Sequence, residues 1–378
     1  MKLQYLQEKL PEFRHFAGCF PKECQAQHFS KVIYLQFNSP MLRRKSLIII
    51  LLFASASLFS QTGGKNIYEF LNLTHSGRIS SLGGSNVSLS GTSLNAAWHN
   101  PALLNNDMDG TLALNYVNYF AGINYGMAMY SHSMKNRSNI AAGITYLNYG
   151  TFIGSDPSGV ITGEFRASES ALSVIYSYSP DSAFSAGINF KPVISSLESY
   201  NSLGFAFDLG VSWRNRADFL SAGLVLRNVG YQLTKYAGEE RGKLPFEIQA
   251  GITVKPEHAP FRFSLTLRHL EKYDLTHMYT DEDNSKNEFL DNLMRHIIVG
   301  AEILPHKNFY ISAGYNHQRR SELATVSKMA GTGFSWGFGI NTSFLSIEFG
   351  RASFHLAGTS THFSVLLKPG SVFSKMRS

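Results

Sequence analysis

Thirteen histidines and two cysteines are the side chains of this 378-residue chain best suited to metal or nucleophilic chemistry, and their spacing supports neither. Cys19 and Cys24 both precede a leader over 41–60, so the exported chain is expected to lack a thiol nucleophile, a disulfide and a cysteine metal site. His296, His306 and His317 come closest to a group, but they fall on different turns and faces. They read as surface or interfacial histidines rather than a metal centre. No His-Glu-x-x-His pair or phosphate-binding Gly-rich loop occurs. A Ser/His/Asp set assembled across strands stays open, but nothing singles one out. The expectation is a protein that is not an enzyme and needs no cofactor.

One titratable cluster remains. Glu271, Asp274, Asp281, Glu282, Asp283, Glu288 and Asp291 crowd residues 270–293. A solvated acidic loop, or one that holds divalent ions between lipopolysaccharides, accounts for them. A sharper reading makes Asp281, Glu282, Asp283, Glu288, Phe289 and Asp291 a partner-docking loop, because long loops on rigid scaffolds often carry function. Phe289, Leu290 and Leu293 have helical spacing and could order on binding.

The elements that must position these residues announce themselves by a two-residue rhythm. Leu203, Phe205, Phe207, Leu209, Val211 and Trp213 share one parity, and Gly204, Ala206, Asp208, Gly210, Ser212 and Arg214 the other. Phe246, Ile248, Ala250, Ile252 and Val254 alternate in the same way with Glu247, Gln249, Gly251, Thr253 and Lys255. Successive side chains of a strand point to opposite faces, so each segment has one apolar and one polar or tiny face. Segments of about ten residues with this pattern read as a transmembrane β-barrel.

The leader ahead of them has three parts. Arg43, Arg44 and Lys45, then the apolar run Leu47 to Phe59, then Ser55, Ala56, Ser57 and Ser60 give the layout of a signal peptide over 41–60. The run is shorter than the roughly 20 residues of a membrane helix. Cleavage is expected between Ser60 and Gln61, and residues 1–40 read as a mis-annotated extension ahead of a true start at Met41. Without residues 1–60 the formal net charge falls from +7 to +2. The basic balance is therefore mostly leader, and nucleic acid is not an expected partner.

Fourteen strands are expected, near 111–120, 122–132, 139–148, 169–179, 183–195, 202–214, 219–229, 245–255, 260–269, 294–304, 308–317, 330–341, 344–354 and 361–368. The connections after even-numbered strands are short and rich in Pro, Asn, Asp and Ser. Those at 149–168, 230–244, 270–293 and 318–329 are long. Short periplasmic turns and long external loops are the habit of outer-membrane barrels. Strands 139–148 and 219–229 read less well, the latter because Val225 lies opposite Leu220, Ala222, Leu224 and Leu226. The lumen face carries small residues (Gly187, Asn189, Gly333, Ser335, Gly337, Gly339), which either admit a plug or relieve strain in a curved sheet. It also carries Asp208, Glu247, Lys255, Arg262, Arg268, Glu302 and Glu348, whose mixed signs predict internal pairs rather than an ion filter. Tyr116, Tyr119, Phe120, Tyr146 and Tyr149 suit an interfacial girdle. Residues 61–109 break the rhythm and read as a plug- or hatch-like segment or a periplasmic cap, 110–368 as the barrel, and 369–378 as a periplasmic tail.

Ser76-Gly77-Arg78-Ile79-Ser80-Ser81-Leu82-Gly83-Gly84-Ser85, followed by Asn95-Ala96-Ala97-Trp98-His99-Asn100-Pro101-Ala102-Leu103, resembles the N-terminal signature of the PorV/PorQ group of outer-membrane barrels. Those belong to the type IX secretion system of Bacteroidetes. They are distantly similar to the FadL long-chain fatty-acid transporters, which share an Asn-Pro-Ala element in a hatch. The opening from Gly63 to Leu73 is more similar to the PorQ branch, and the resemblance spans roughly Gly63 to Leu367. It implies a FadL-like all-β barrel of fourteen antiparallel strands with Gly83, Gly84, Asn100, Pro101 and Ala102 in the plug. It also implies membership of an attachment complex with PorU, PorV and PorZ, which trims exported cargo and fixes it to lipopolysaccharide. The PorQ role there is to anchor the peripheral PorZ. The sortase-like cysteine chemistry belongs to PorU, so no catalytic residue is carried over. A FadL-like channel for hydrophobic small molecules is the alternative.

Overall fold

A computed structural model describes residues 66–370 apart from 92, 157, 199, 237–239, 276–287, 324–330 and 356–357. The expected extension over 1–40, the signal peptide over 41–60 and most of the tail lie outside the described residues.

Fourteen strands form a closed antiparallel barrel. They are β1 (Leu112–Asn118), β2 (Asn124–Ser133), β3 (Ser138–Ser155), β4 (Ile161–Tyr178), β5 (Phe184–Leu197), β6 (Tyr200–Arg214), β7 (Leu220–Thr234), β8 (Glu247–Val254), β9 (Phe261–Leu267), β10 (Ile297–His306), β11 (Phe309–Asn316), β12 (Phe334–Asn341), β13 (Leu345–His355) and β14 (Gly358–Leu367). Every strand pairs with its chain neighbours, and β1 closes the ring on β14 with Leu112 opposite Leu367. Closure leaves no ladder edge unpaired, the condition for a sheet to cross hydrocarbon. Among the described residues no helix is long and apolar enough to do so.

The parity of the sequence becomes the two faces of the wall. On β6, Ser202, Gly204, Ala206, Asp208 and Gly210 are buried inward, while Leu203, Leu209 and Val211 are exposed. Leu172, Val174, Ile188, Ile252 and Trp336 are likewise exposed around the ring. A continuous apolar belt of this extent is unfavourable in water and matches hydrocarbon. The protein is an integral barrel of the outer-membrane kind.

Four expectations need correction or refinement. The loop expected over 149–168 is mostly strand, because β3 and β4 continue to Ser155 and from Ile161 as a ribbon. β2 stops pairing with β3 at Asn148, and β5 stops pairing with β4 at Ala167, so the ribbon stands beyond the wall. Both of its faces are wet and it carries Gly150, Gly154, Gly159 and Gly163, so it shows no apolar rhythm. A cross-strand stack of Phe152 on Phe165, centroids 5.2 Å apart, braces it. On the weakly patterned β7, Leu220 to Leu226 face lipid at even positions while Val225 is fully buried. A bulge then turns Arg227 and Asn228 both inward, and Val229, Tyr231 and Leu233 face lipid at odd positions. Asn228 takes the positive φ of 57° that the bulge requires. Finally, Tyr119 and Tyr149 belong to an interior cluster around Phe70 and Leu71 rather than to a girdle, whereas Tyr116 and Tyr146 do face outward. Lys255 is exposed beyond the end of β8 rather than on the lumen wall.

Residues 66–111 run inside the barrel. They include α1 (Gly77–Ser81) and α2 (Asn95–His99), with 3-10 turns at Glu69–Asn72, Pro101–Leu103 and Asn106–Met108. Side chains at inward glycines of β5, β6, β7, β10, β11, β12 and β13 would collide with this segment. A segment that touches so much of the inner wall of a closed ring occupies its bore. Its start lies at the long-loop mouth, where Ile67 N donates to Lys243 O at 2.9 Å in the β7–β8 connection. Its end lies at the short-turn mouth, where the Lys368 ammonium donates to Asp107 O at 2.9 Å.

The chain therefore threads the bore, and Asn66 is exposed at the long-loop mouth, the one expected to face the cell exterior. With both native cysteines confined to residues 1–60, Asn66→Cys is a clean reporter. A membrane-impermeant maleimide should label it in intact cells and leave Arg216→Cys, in a short turn, unlabelled. Labelling in the opposite pattern would invert the orientation.

Candidate functional site

The plug is held by groups that only a polar lumen wall could supply. Ser76 caps α1 by accepting from Ile79 N at 3.3 Å, and its hydroxyl also donates to Glu348 at 3.1 Å. Ser93 and Asn95 complete the shell of that buried carboxylate at 3.0 and 3.3 Å. Gly83 and Gly84 end α1 with φ of 99° and 95°, and Gly84 N reaches back to Ile79 O at 3.0 Å. A side chain at Gly83 would strike Ile298, and one at Gly84 the Arg319 guanidinium. The helix end is then stitched to β12, with Gly83 N donating to Ser335 Oγ and Ser335 Oγ to Ser81 O, each at 3.0 Å.

The second motif is a bracket. Asn100 Oδ1 accepts from Ala102 N at 3.0 Å, and its amide nitrogen donates to Val87 O at 2.8 Å and Val211 O at 3.2 Å. One side chain thus ties two plug segments to β6. Pro101 opens the following turn, where a missing N–H costs nothing. Pro101 and Asn100 lie so close to Gly187 and Gly210 that no Cβ fits at either. Of the two readings left open for the small lumen residues, plug approach holds at Gly187 and Gly337. Gly339 instead makes room for the buried Tyr310 ring.

The mixed lumen charges resolve into pairs. Glu302 on β10 takes two bonds from Arg78 of the plug at 2.7 and 2.9 Å and one from Arg262 on β9 at 2.7 Å. Arg268 donates twice to Glu247, at 2.6 and 3.0 Å. Lys191 pairs with Asp208 at 2.7 Å, and the Asn228 backbone N–H of the β7 bulge donates to the same carboxylate at 2.8 Å. Lys191 and Arg227 escape a reading by composition. The signal for Lys191 was parity: it shares the inward register with Asn189, Val193 and Ser195, and a lysine there has to face the lumen. His75 and His99 are also buried in the plug. The His75 ring packs edge-on against Trp98, centroids 5.0 Å apart.

The acidic loop is only partly within reach. Asp281, Glu282 and Asp283 lie outside the described residues, as does the Glu288 side chain. The helical spacing does produce a helix, α3 (Glu288–Arg295), with Phe289 71 % and Leu290 53 % exposed. Asp291 bonds to Arg295 at 2.8 Å and to His317 at 3.0 Å, at the start of α4 (His317–Leu323). Burial alone would raise its pKa, but these two bonds outweigh burial and hold the carboxyl below its ordinary range. Of the three grouped histidines, His317 meets Asp291 and His296 meets Arg268 O, so they do not share a site. Among the described residues no cluster of His, Cys, Asp and Glu could hold a metal.

No protein-family model matches the chain, and no curated protein matches it. Solved structures with a related shape include the Ralstonia pickettii toluene transporter TbuX, at 12 % identity and TM-score 0.49 over 78 % of this chain and 98 % of that one. The Pseudomonas putida toluene transporter TodX aligns at 12 % identity and TM-score 0.48 over 81 % of this chain and 98 % of its own. The KdgM porin aligns at 11 % identity and TM-score 0.30 over 68 % and 98 %. Likenesses this distant assign no activity, and the chemistry of the site rests on the contacts between plug and wall.

Two substitutions test the lock. Glu302→Ala leaves the Arg78 and Arg262 guanidinium groups buried without a counter-charge and should cost about 3–5 kcal/mol, read as a lower urea midpoint for the folded band on gels. Gly314→Leu drives a side chain into Leu82 and Gly83 of the plug. It should produce open-channel conductance in planar bilayers where the parent protein is silent. A folded variant that stays silent would refute tight plug packing.

Proposed function

We propose that this protein is a non-enzymatic outer-membrane anchor, the PorQ-like member of a type IX attachment complex that holds a PorZ-like surface protein beside PorU- and PorV-like partners. The observation that carries this reading is a division of labour in the barrel. The bore is occupied by a plug bonded to the wall by the buried Arg78–Glu302 ion pair and by hydroxyl and amide hydrogen bonds. The long-loop side, by contrast, presents apolar side chains to water: Tyr273 81 %, Phe289 71 %, Ile161 70 % and Ile153 68 % exposed. A sealed bore suits a scaffold, and large exposed apolar groups beyond the membrane suit a protein partner. The motif resemblance supplies the identity of that partner.

A FadL-like channel for hydrophobic small molecules is the second reading. An N-terminal segment seated in a fourteen-stranded ring favours it, and TbuX and TodX, which share the barrel shape, are toluene transporters. Passage would require the plug to move.

Gene deletion followed by fractionation separates the two. The anchor reading expects cargo with C-terminal sorting signals to be lost from the cell surface and a peripheral surface protein to appear in the medium. Deleting 276–290 or substituting Phe289→Asp should weaken that recruitment without removing the barrel from the outer membrane. Intact cargo attachment with slowed uptake of a hydrophobic nutrient would favour the channel.

A further inference from the structure

One concavity on the lipid-facing wall has no part in the plug or in the exposed apolar loop surface. The β3–β4 ladder runs in register to Asn148 opposite Ser168, then resumes at Thr151 opposite Arg166. The extra residue is a bulge. Tyr149 turns inward, where its hydroxyl donates to Glu169 at 2.6 Å. Gly150 adopts a φ of 91° and donates its N–H to Asn148 Oδ1 at 2.9 Å. The wall is dented as a result. A hollow of about 350 Å³ opens there, lined by Tyr146, Asn148, Thr151, Arg166 and Ser168 with the backbone of Gly150 and Ala167.

The chemistry of the lining is one-sided. Arg166 is exposed and forms no ion pair or side-chain hydrogen bond among the described residues. No carboxylate lines the hollow. Thr151 and Ser168 offer hydroxyls, Asn148 an amide, and Tyr146 an aromatic ring. A guanidinium with neighbouring hydroxyl donors suits a tetrahedral phosphate, to which it can give two parallel bonds.

Depth narrows the ligand. Toward the middle of the barrel the outward residues on these strands are Ile144, Leu172 and Val174, all exposed. At the hollow they are Asn118, Asn124, Asn148, Ser168 and Arg166, with Tyr116 and Tyr146 at the transition and Ile153 and Glu164 beyond on the ribbon. Apolar side chains give way to tyrosine and then to amides where hydrocarbon gives way to headgroups. The hollow therefore sits at the headgroup level of the leaflet on the long-loop side.

We propose that this hollow binds the phosphate of an outer-leaflet glycolipid of the lipopolysaccharide class, with Arg166 as the anion partner and Tyr146 against the sugar. The assignment rests on the orientation that places the long loops outside, and it is independent of the anchor role. The test uses the full chain purified in detergent and a fluorescent bisphosphorylated lipid A as probe. Saturable binding is expected. Arg166→Gln should weaken it by about tenfold or more, while Arg214→Gln, at the other end of the barrel, should leave it unchanged. Removing the lipid A phosphates should cost the parent protein a similar factor and cost Arg166→Gln little more. Equal binding by the parent and by Arg166→Gln, both running as folded bands on unheated gels, would overturn the site. Full displacement of the probe by millimolar inorganic phosphate would assign the hollow to a free anion instead of a lipid, and would also overturn it. Maleimide labelling of Asn66→Cys reports the orientation separately, so failure of the orientation and failure of the site give different results.

Discussion

Hydrocarbon offers no partner for a backbone N–H or C=O, and this single constraint organises the molecule. It requires the strands to close, which they do by pairing β1 with β14. Closure in turn creates an inner wall that cannot be apolar on both faces without losing its solvent contrast. The result is an outward belt of Leu, Ile, Val and aromatic side chains around a lumen lined by Ser, Gly and charged groups.

A lumen of that kind has to be satisfied. Here much of the satisfaction comes from the chain's own segment over 66–111. The plug meets the wall through two complementary devices. At its tightest approaches, as at Gly187, Gly223, Gly314 and Gly350, the wall residue is glycine, so plug backbone meets strand with no side-chain overlap. Where the wall carries a charge, the counter-charge or a set of hydroxyls arrives from the plug or a neighbouring strand. Arg78 with Glu302, and Ser76, Ser93 and Asn95 with Glu348, are instances across hundreds of residues of sequence. Buried charges are stabilising only when fully paired, so these contacts fix the plug in one position more than they add to stability. The plug runs from the outer mouth to the inner one, so this lock spans the full height of the barrel.

Two bulges show how one inserted residue redirects chemistry on a regular wall. On β7 the bulge turns Arg227 and Asn228 inward together and gives the Lys191–Asp208 pair its third partner. On β3 the bulge turns Tyr149 inward and leaves a dent beside Arg166 on the lipid side. In both places the ladder is sacrificed for one residue, and a side chain is aimed where strict alternation would not have sent it. The exposed apolar side chains of the ribbon, Ile153 and Ile161, follow directly beyond the β3 bulge, and those of α3 sit on a separate connection.

Much of the architecture was legible in the residues alone. Alternation with period two marks each strand, because lipid and lumen sit on opposite sides of the same ribbon and select opposite residue types. The short turns with Pro, Asn and Asp set one end of the barrel apart from the long-loop end for the same local reason. Gly83, Gly84 and the Asn100-Pro101 step announced a turn-rich plug, since positive φ and side-chain capping are properties of a few neighbouring residues. Alternation failed where both faces share one solvent, as in the ribbon, or where a bulge resets the parity, as at Arg227. Which wall glycine receives Pro101, which arginine reaches Glu302, and that Tyr149 is internal while Tyr146 is not were decided only by the tertiary structure. Each depends on how the ring closes around its own N-terminal segment, and no local rule carries information about a partner more than two hundred residues away.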